Sequence, residues 1–249
     1  MSYYKSALVA LQFLTQIPVV FKQYPDDRTV AGSLIFYPWV GLLIGGCLAL
    51  VAVIFSSFWP TLPSFFSAAF ILSIWVLLTG ALHLDGLADT CDAWLGGIGS
   101  KERTLAIMKD PCSGPIAVVV LFCTLLLKFS AIVSIIEADC LIVLLLAPMI
   151  ARSVLPALLL YTPYVREQGI AQVLKQYAPK TRVLISSVLA LVIASAMGYV
   201  LVGLIAIAVT ILIRNMTLKR LSGLTGDIAG ACIEIVESVV IIALVFAVY

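Results

Sequence analysis

Charge is scarce in this chain. Asp, Glu, Lys and Arg together make up 11% of its 249 residues, against 63% hydrophobic residues, and histidine occurs once. Lys and Arg number 15 and Asp and Glu 13, for a net charge of +2, so no basic surface for nucleic acid is indicated. Paired cysteines are missing too. The six cysteines (47, 91, 112, 123, 140 and 232) contain no CxxC and have no histidine pattern beside them. This argues against a disulfide framework and against a zinc site. Met1 to Val20 is short and ends in a polar segment, so it is not expected to be a cleaved signal.

What is present in quantity is long apolar sequence. Mean hydropathy is +1.17, far above that of soluble domains, and apolar runs of about 18 residues or more read as spanning helices. Candidate spans are 33–55, 64–83, 115–136, 140–161, 182–198, 200–221 and 229–248. The expected fold is therefore all-α: a polytopic membrane bundle of about seven transmembrane helices, forming one domain over 1–249. Six helices are expected if 182–213 is not broken at Gly198 or Gly203. Residues 4–17 (YKSALVALQFLTQI) are expected to form a short helix in the membrane interface or docked on the bundle.

The loops between these spans alternate in charge. One set carries Lys22 and Arg28; Lys101, Arg103 and Lys109; Arg166, Lys175, Lys180 and Arg182; and Arg214, Lys219 and Arg220. The other set, comprising 56–63, 137–139, 198–200 and the C-terminus, contains no Lys or Arg. The positive-inside rule assigns the first set to the cytoplasmic side of a multi-pass cell (inner) membrane protein. The segment 166–182 reads as an interfacial amphipathic helix whose cations could also attract an anionic substrate.

The scarce acids gather on that same side. In "HLDGLADTCDAWLGG", His83 to Gly97, the acids Asp85, Asp89 and Asp92 are spaced i, i+4, i+7. On a helix they project within about 60° of one another. Like charges at this spacing repel, and a divalent cation relieves them. Hard oxygen ligands select Mg²⁺ or Mn²⁺, with Mg²⁺ typically held by a few carboxylates together with substrate phosphates. A second cluster, "LTGDIAGACIEIVES", places Asp227 and Glu234 at i, i+7 with Glu237 on the flank. Thr225 can cap that helix or touch a phosphate. Two acidic faces at one membrane surface suit a metal-assisted phosphoryl transfer with the active site on the cytoplasmic side. Acids at a helix end can also be merely solvated, but acids inside spans are costly and mark sites or pathways.

The strings "HLDGLADTCDA" and "GLTGDIAGACIEIVE", with "FLTQIPV", "FYPWVGLLIG" and "IMKDPCSGP" in the same order, resemble the cobalamin synthase (adenosylcobinamide-GDP ribazoletransferase) family. The resemblance implies a Mg²⁺-dependent membrane enzyme joining adenosylcobinamide-GDP to α-ribazole or its 5′-phosphate. A ribose hydroxyl attacks the phosphorus beside the corrinoid arm and GMP leaves. Asp110 and Gly114 match the family pattern and become substrate-binding candidates. Cys112 and Ala117 stand where relatives often carry a basic residue and a second glycine.

The expected roles are as follows. Asp85, Asp89 and Asp92 are metal ligands, one of them a base on the attacking hydroxyl. Asp227 and Glu234 complete the metal site. His83 is either a hydrogen-bonded structural residue or a base beside Asp85, and an unbroken helix through 83–92 points it away from the aspartate stripe. Lys128 and Arg152 lie inside spans, where they either pair with Glu137 or Asp139 or bind the diphosphate. The expected partners are the two small-molecule substrates and the lipid bilayer, with a homo-oligomer left open. The competing readings are a cation-coupled transporter and a CDP-alcohol-type phosphotransferase.

Overall fold

The computed structural model describes residues 2–165 and 170–249. Arg166, part of the expected amphipathic segment, lies outside the described residues. The helices run α1 (Tyr3–Leu14), α2 (Asp27–Ala31), α3 (Tyr37–Phe58), α4 (Ser64–Thr79), α5 (Leu82–Gly96), α6 (Lys101–Ile107), α7 (Pro115–Glu137), α8 (Leu146–Tyr161), α9 (Ile170–Tyr177), α10 (Lys180–Ala196), α11 (Val200–Leu221) and α12 (Gly226–Val248). Among the described residues the only extended pairing is an isolated bridge between Tyr164 and Leu224. The protein is an all-α polytopic membrane protein, as its composition requires: in lipid every backbone N–H and C=O must be satisfied within the segment.

Among the described residues five helical segments are long and apolar enough to cross a membrane, and seven if α4 with α5 and α9 with α10 each form one bent span. The expected break between the fifth and sixth spans falls at Gly198, whose φ of +94° places it in the left-handed region. Gly203 lies inside α11. The amphipathic segment ends earlier than its sequence suggested, at Tyr177. Pro179 ends it, and α10 starts at Lys180 after a 99° turn.

α8 is the axis of the bundle. The apolar window of 141–161 is 78% buried, against 28% for α7 and for α11, which face outward. α3 packs on α8 through Gly41 and Gly45. A Cβ at Gly41 would stand 2.4 Å from the Pro148 carbonyl oxygen, and one at Gly45 2.6 Å from the Leu145 Cα. Small residues four apart allow this backbone approach, which drives helix association where lipid removes the hydrophobic drive. The outer surfaces of α3, α4, α7, α10 and α11 expose Leu, Val, Ile and Phe side chains.

Both ends of the bundle are marked by contacts. At one end Ser64 Oγ donates to Glu137 at 2.6 Å and Tyr249 OH donates to the Ser134 carbonyl. This joins the start of α4 to the ends of α7 and α12. At the other end lie α5, α6, α9 and the starts of α7 and α12. There α4 ends at Gly80 (φ +64°), and Ala81 (φ +55°) continues the left-handed turn. Two successive left-handed residues swing α5 to 85° from α4. Gln16, from "FLTQIPV", lies across the hinge: its N–H donates to the Leu78 carbonyl at 2.8 Å and its side chain covers Gly80. α5 thus turns away from the span axis and crosses the beginning of α12.

Candidate active site

α5 is helical without interruption from Leu82 to Gly96, so Asp85, Asp89 and Asp92 do share one stripe. His83 faces the other way and is 4% exposed, whereas Asp85 is exposed. α5 meets α12 at glycines. A Cβ on Gly86 would stand 2.7 Å from the Asp227 carbonyl oxygen, and one on Gly230 3.5 Å from the His83 Cα. This backbone crossing brings Asp227 to the aspartate stripe. The carboxylates of Asp85, Asp227 and Asp92 all act electrostatically on Asp89. Acids more than 130 residues apart in sequence therefore meet at one end of the bundle. Among the described residues no three His, Cys, Asp or Glu side chains are already arranged to hold an ion.

Asp92 is engaged by α7. Its two oxygens accept the N–H groups of Gly114 and Ala117, and so cap the orphan donors of that helix start. Gly114 is pressed against this carboxylate; a Cβ there would stand 2.7 Å from Asp92 Oδ1. Asp110 is exposed, and its Oδ1 accepts the Cys112 N–H at 3.0 Å, closing its own turn. Thr225 is buried and caps α12, accepting the Ile228 N–H at 3.3 Å. The Tyr164–Leu224 bridge pins the residues before that cap to the end of α8: Leu224 N–H donates to Pro163 at 2.7 Å and Val165 N–H to Leu224 at 3.0 Å.

Comparison with known proteins decides the family. The Cobalamin-5-phosphate synthase family profile matches residues 6–245. The chain belongs to that family. A relative from Stutzerimonas stutzeri (strain A1501), named adenosylcobinamide-GDP ribazoletransferase, is 48% identical over 241 residues, covering 95% of this chain and 96% of its own. One from Pseudomonas aeruginosa PAO1 with the same name is 46% identical over 244 residues, covering 96% and 97%. No solved structure matches the chain. As a member of the cobalamin-5-phosphate synthase family, the protein is an enzyme, a transferase of cobalamin synthesis.

In this family member three of the expected site residues lie elsewhere. Glu234, expected at the metal, and Lys128 and Arg152, expected at the diphosphate, form a buried ion network with Glu237. Lys128 Nζ donates to Glu234 at 2.6 Å and to Glu237 at 2.7 Å, and Arg152 Nη1 donates to the other Glu237 oxygen. Neither far-side acid, Glu137 or Asp139, is the partner. Glu234 shares a helix face with Asp227 but sits seven residues on, about 10 Å deeper along the axis. At that depth an unpaired charge is costly, and the two cations neutralise the two glutamates. Trp75 closes the network, its ring 4.5 Å from Lys128 Nζ. Glu237 was the residue that sequence reasoning undervalued. The available signal was arithmetic: two cations and two anions inside apolar spans sum to zero.

Beside the aspartates opens a cavity of about 320 Å³. It is lined by His83, Asp85 and Gly86 of α5 and by Gly226, Asp227 and Gly230 of α12, together with Tyr37, Tyr164 and apolar side chains of α1, α8 and α9. A second hollow, about 430 Å³, is lined almost entirely by apolar residues of α5, α11 and α12 on the opposite flank of α5.

Proposed function

We propose that this protein joins adenosylcobinamide-GDP to α-ribazole, or to its 5′-phosphate, releasing GMP, at the cytoplasmic face of the cell membrane. The carrying observation is the meeting of Asp227 with Asp85 and Asp89 where α5 crosses α12. The names of the relatives supply the substrates, and the placement of the Lys- and Arg-bearing loops supplies the side of the membrane.

The donor set fits Mg²⁺. All three groups are hard oxygen donors, and their crowding is unfavourable without a cation. Asp85, Asp89 and Asp227 would hold the ion, with substrate phosphate and water completing its shell. Bound there, Mg²⁺ offsets the negative charge of the diphosphate.

The chain's own residues do the positioning. The Asp92 clasp on α7 and the Thr225 cap on α12 fix the two helix starts on either side of the stripe. Such positioning supplies much of the rate in displacement at phosphorus. A ribose hydroxyl of ribazole forms the new O–P bond, and the bond from that phosphorus to the bridging oxygen of the diphosphate breaks. An aspartate of the stripe takes the hydroxyl proton, and the electron pair leaves with GMP.

The transporter alternative needs its acids near the bilayer midplane on broken helices. Here the deep acids are neutralised by Lys128 and Arg152, and the aspartates lie at the bundle end. The test is direct: detergent-purified protein with Mg²⁺, adenosylcobinamide-GDP and α-ribazole is expected to release GMP. Parallel assays with the 5′-phosphate and with a CDP-activated lipid separate the acceptors and the CDP-alcohol chemistry. Absence of GMP from folded protein overturns the assignment.

A further inference from the structure

We infer that the 320 Å³ cavity beside Asp85 and Asp227 is the seat of the nucleoside acceptor, and that its apolar wall selects a flat, hydrophobic base. The corrinoid diphosphate then approaches from outside the cavity. This rests on the transferase reading above and deepens it by dividing the site between the two substrates.

Size is the first argument. About 320 Å³ is at the small end of ligand pockets, which run roughly 300–1,000 Å³. That space admits a nucleoside. Adenosylcobinamide-GDP, with a corrin macrocycle, an adenosyl group and a guanine nucleotide, is far too large for it.

Polarity is the second. Away from the acids the wall is made by Phe13, Leu14, Leu155, Leu159 and Leu174, with the buried ring of Tyr37. Guanine carries many donors and acceptors that such a wall leaves unpaired, and each one buried without a partner costs its desolvation. The base of ribazole is a dimethylbenzimidazole, which is flat and nearly devoid of such groups, and aromatic burial favours it.

Direction is the third. The two carboxylates of the cavity, Asp85 and Asp227, come from α5 and α12, which cross at Gly86, whereas Leu14, Leu155, Leu159 and Leu174 come from α1, α8 and α9. A nucleoside with its base against the leucines turns its ribose toward these carboxylates. A hydroxyl is then presented to the group that takes its proton, at the edge where the diphosphate binds. The guanine end, excluded from the cavity, lies where GMP can leave without passing the acceptor.

The test fills and then enlarges the cavity. Ala171 of α9 lines it, and Ala171→Phe projects a ring into the base seat. The KM for α-ribazole is expected to rise at least tenfold, with the KM for adenosylcobinamide-GDP within twofold of wild type. Equilibrium dialysis of α-ribazole alone is expected to show the same weakening without turnover. Leu159→Ala enlarges the wall and is expected to improve use of a naphthimidazole riboside relative to α-ribazole, which keeps the question open to experiment if Ala171→Phe does not fold. A rise confined to the corrinoid KM, or unchanged binding of α-ribazole to Ala171→Phe together with an unchanged preference in Leu159→Ala, overturns the inference. Wild-type protein that releases no GMP counts instead against the transferase reading.

Discussion

Gly86 of α5 lies against the backbone of Asp227 on α12, so close that a Cβ on Gly86 would stand 2.7 Å from the Asp227 carbonyl oxygen and 3.3 Å from its Cα. The obstruction is backbone and cannot swing aside. Gly86→Ala must therefore move one helix relative to the other and displace Asp227 from Asp85 and Asp89. A loss of GMP release of tenfold or more is expected, with a lower midpoint of thermal unfolding. Gly46→Ala of α3, away from the site, is the control: its Cβ meets nothing nearer than a Leu145 side-chain atom at 3.8 Å and should be tolerated. Equal losses in the two variants would show that the crossing is not the limiting contact.

Asp85→Asn and Asp89→Asn are expected to abolish turnover while the protein still elutes as a single folded species. Neutralising either removes a hard ligand and half-relieves the crowding that the cation offsets. Chelation with EDTA should stop wild-type turnover and excess Mg²⁺ restore it. Near-normal activity of either variant at limiting Mg²⁺ would remove that carboxylate from the metal site.

Asp92 is expected to behave differently from its two companions on the stripe, because it already accepts two N–H groups at the start of α7. Asp92→Ala should cost roughly 1–2 kcal/mol of stability, the range for a lost helix cap. Asp92→Asn, which keeps one acceptor oxygen, should cost less. Thermal unfolding of the two variants beside Asp85→Asn checks the distinction. If all three unfold at the same temperature, the clasp contributes nothing.

The Glu237 network predicts non-additivity. Glu237→Ala leaves Lys128 and Arg152 with one glutamate between them and is expected to cost about 3–5 kcal/mol. Lys128→Met alone leaves Glu234 without its cation, and Glu234→Met alone leaves Lys128 and Arg152 sharing Glu237. The double variant restores neutrality and should cost clearly less than the sum of the two. Additive losses in a double-mutant cycle would mean that the pair is not coupled.

Much of the fold was legible because it is written in local periodicity. The seven apolar stretches, the break at Gly198 and the i, i+4, i+7 stripe depend only on residues near one another in sequence. That His83 points away from the stripe also followed from helix geometry. The hinge at Gly80 and Ala81 was not legible, since a left-handed alanine has no sequence signature. Nor was the end of the amphipathic helix before Pro179 legible.

The sequence by itself determined that the chain is a membrane bundle, which end carries the basic loops, and that three aspartates share a face. Composition and the 3.6-residue period are enough for each. Only the tertiary structure decided which acids meet. Asp227 reaches the stripe because two glycine-faced helices cross there, while Glu234, on the same face, is two turns deeper beside Lys128. Spacing along a helix sets direction but not depth, and in a low-dielectric interior the partner that can neutralise a charge decides where that charge is used.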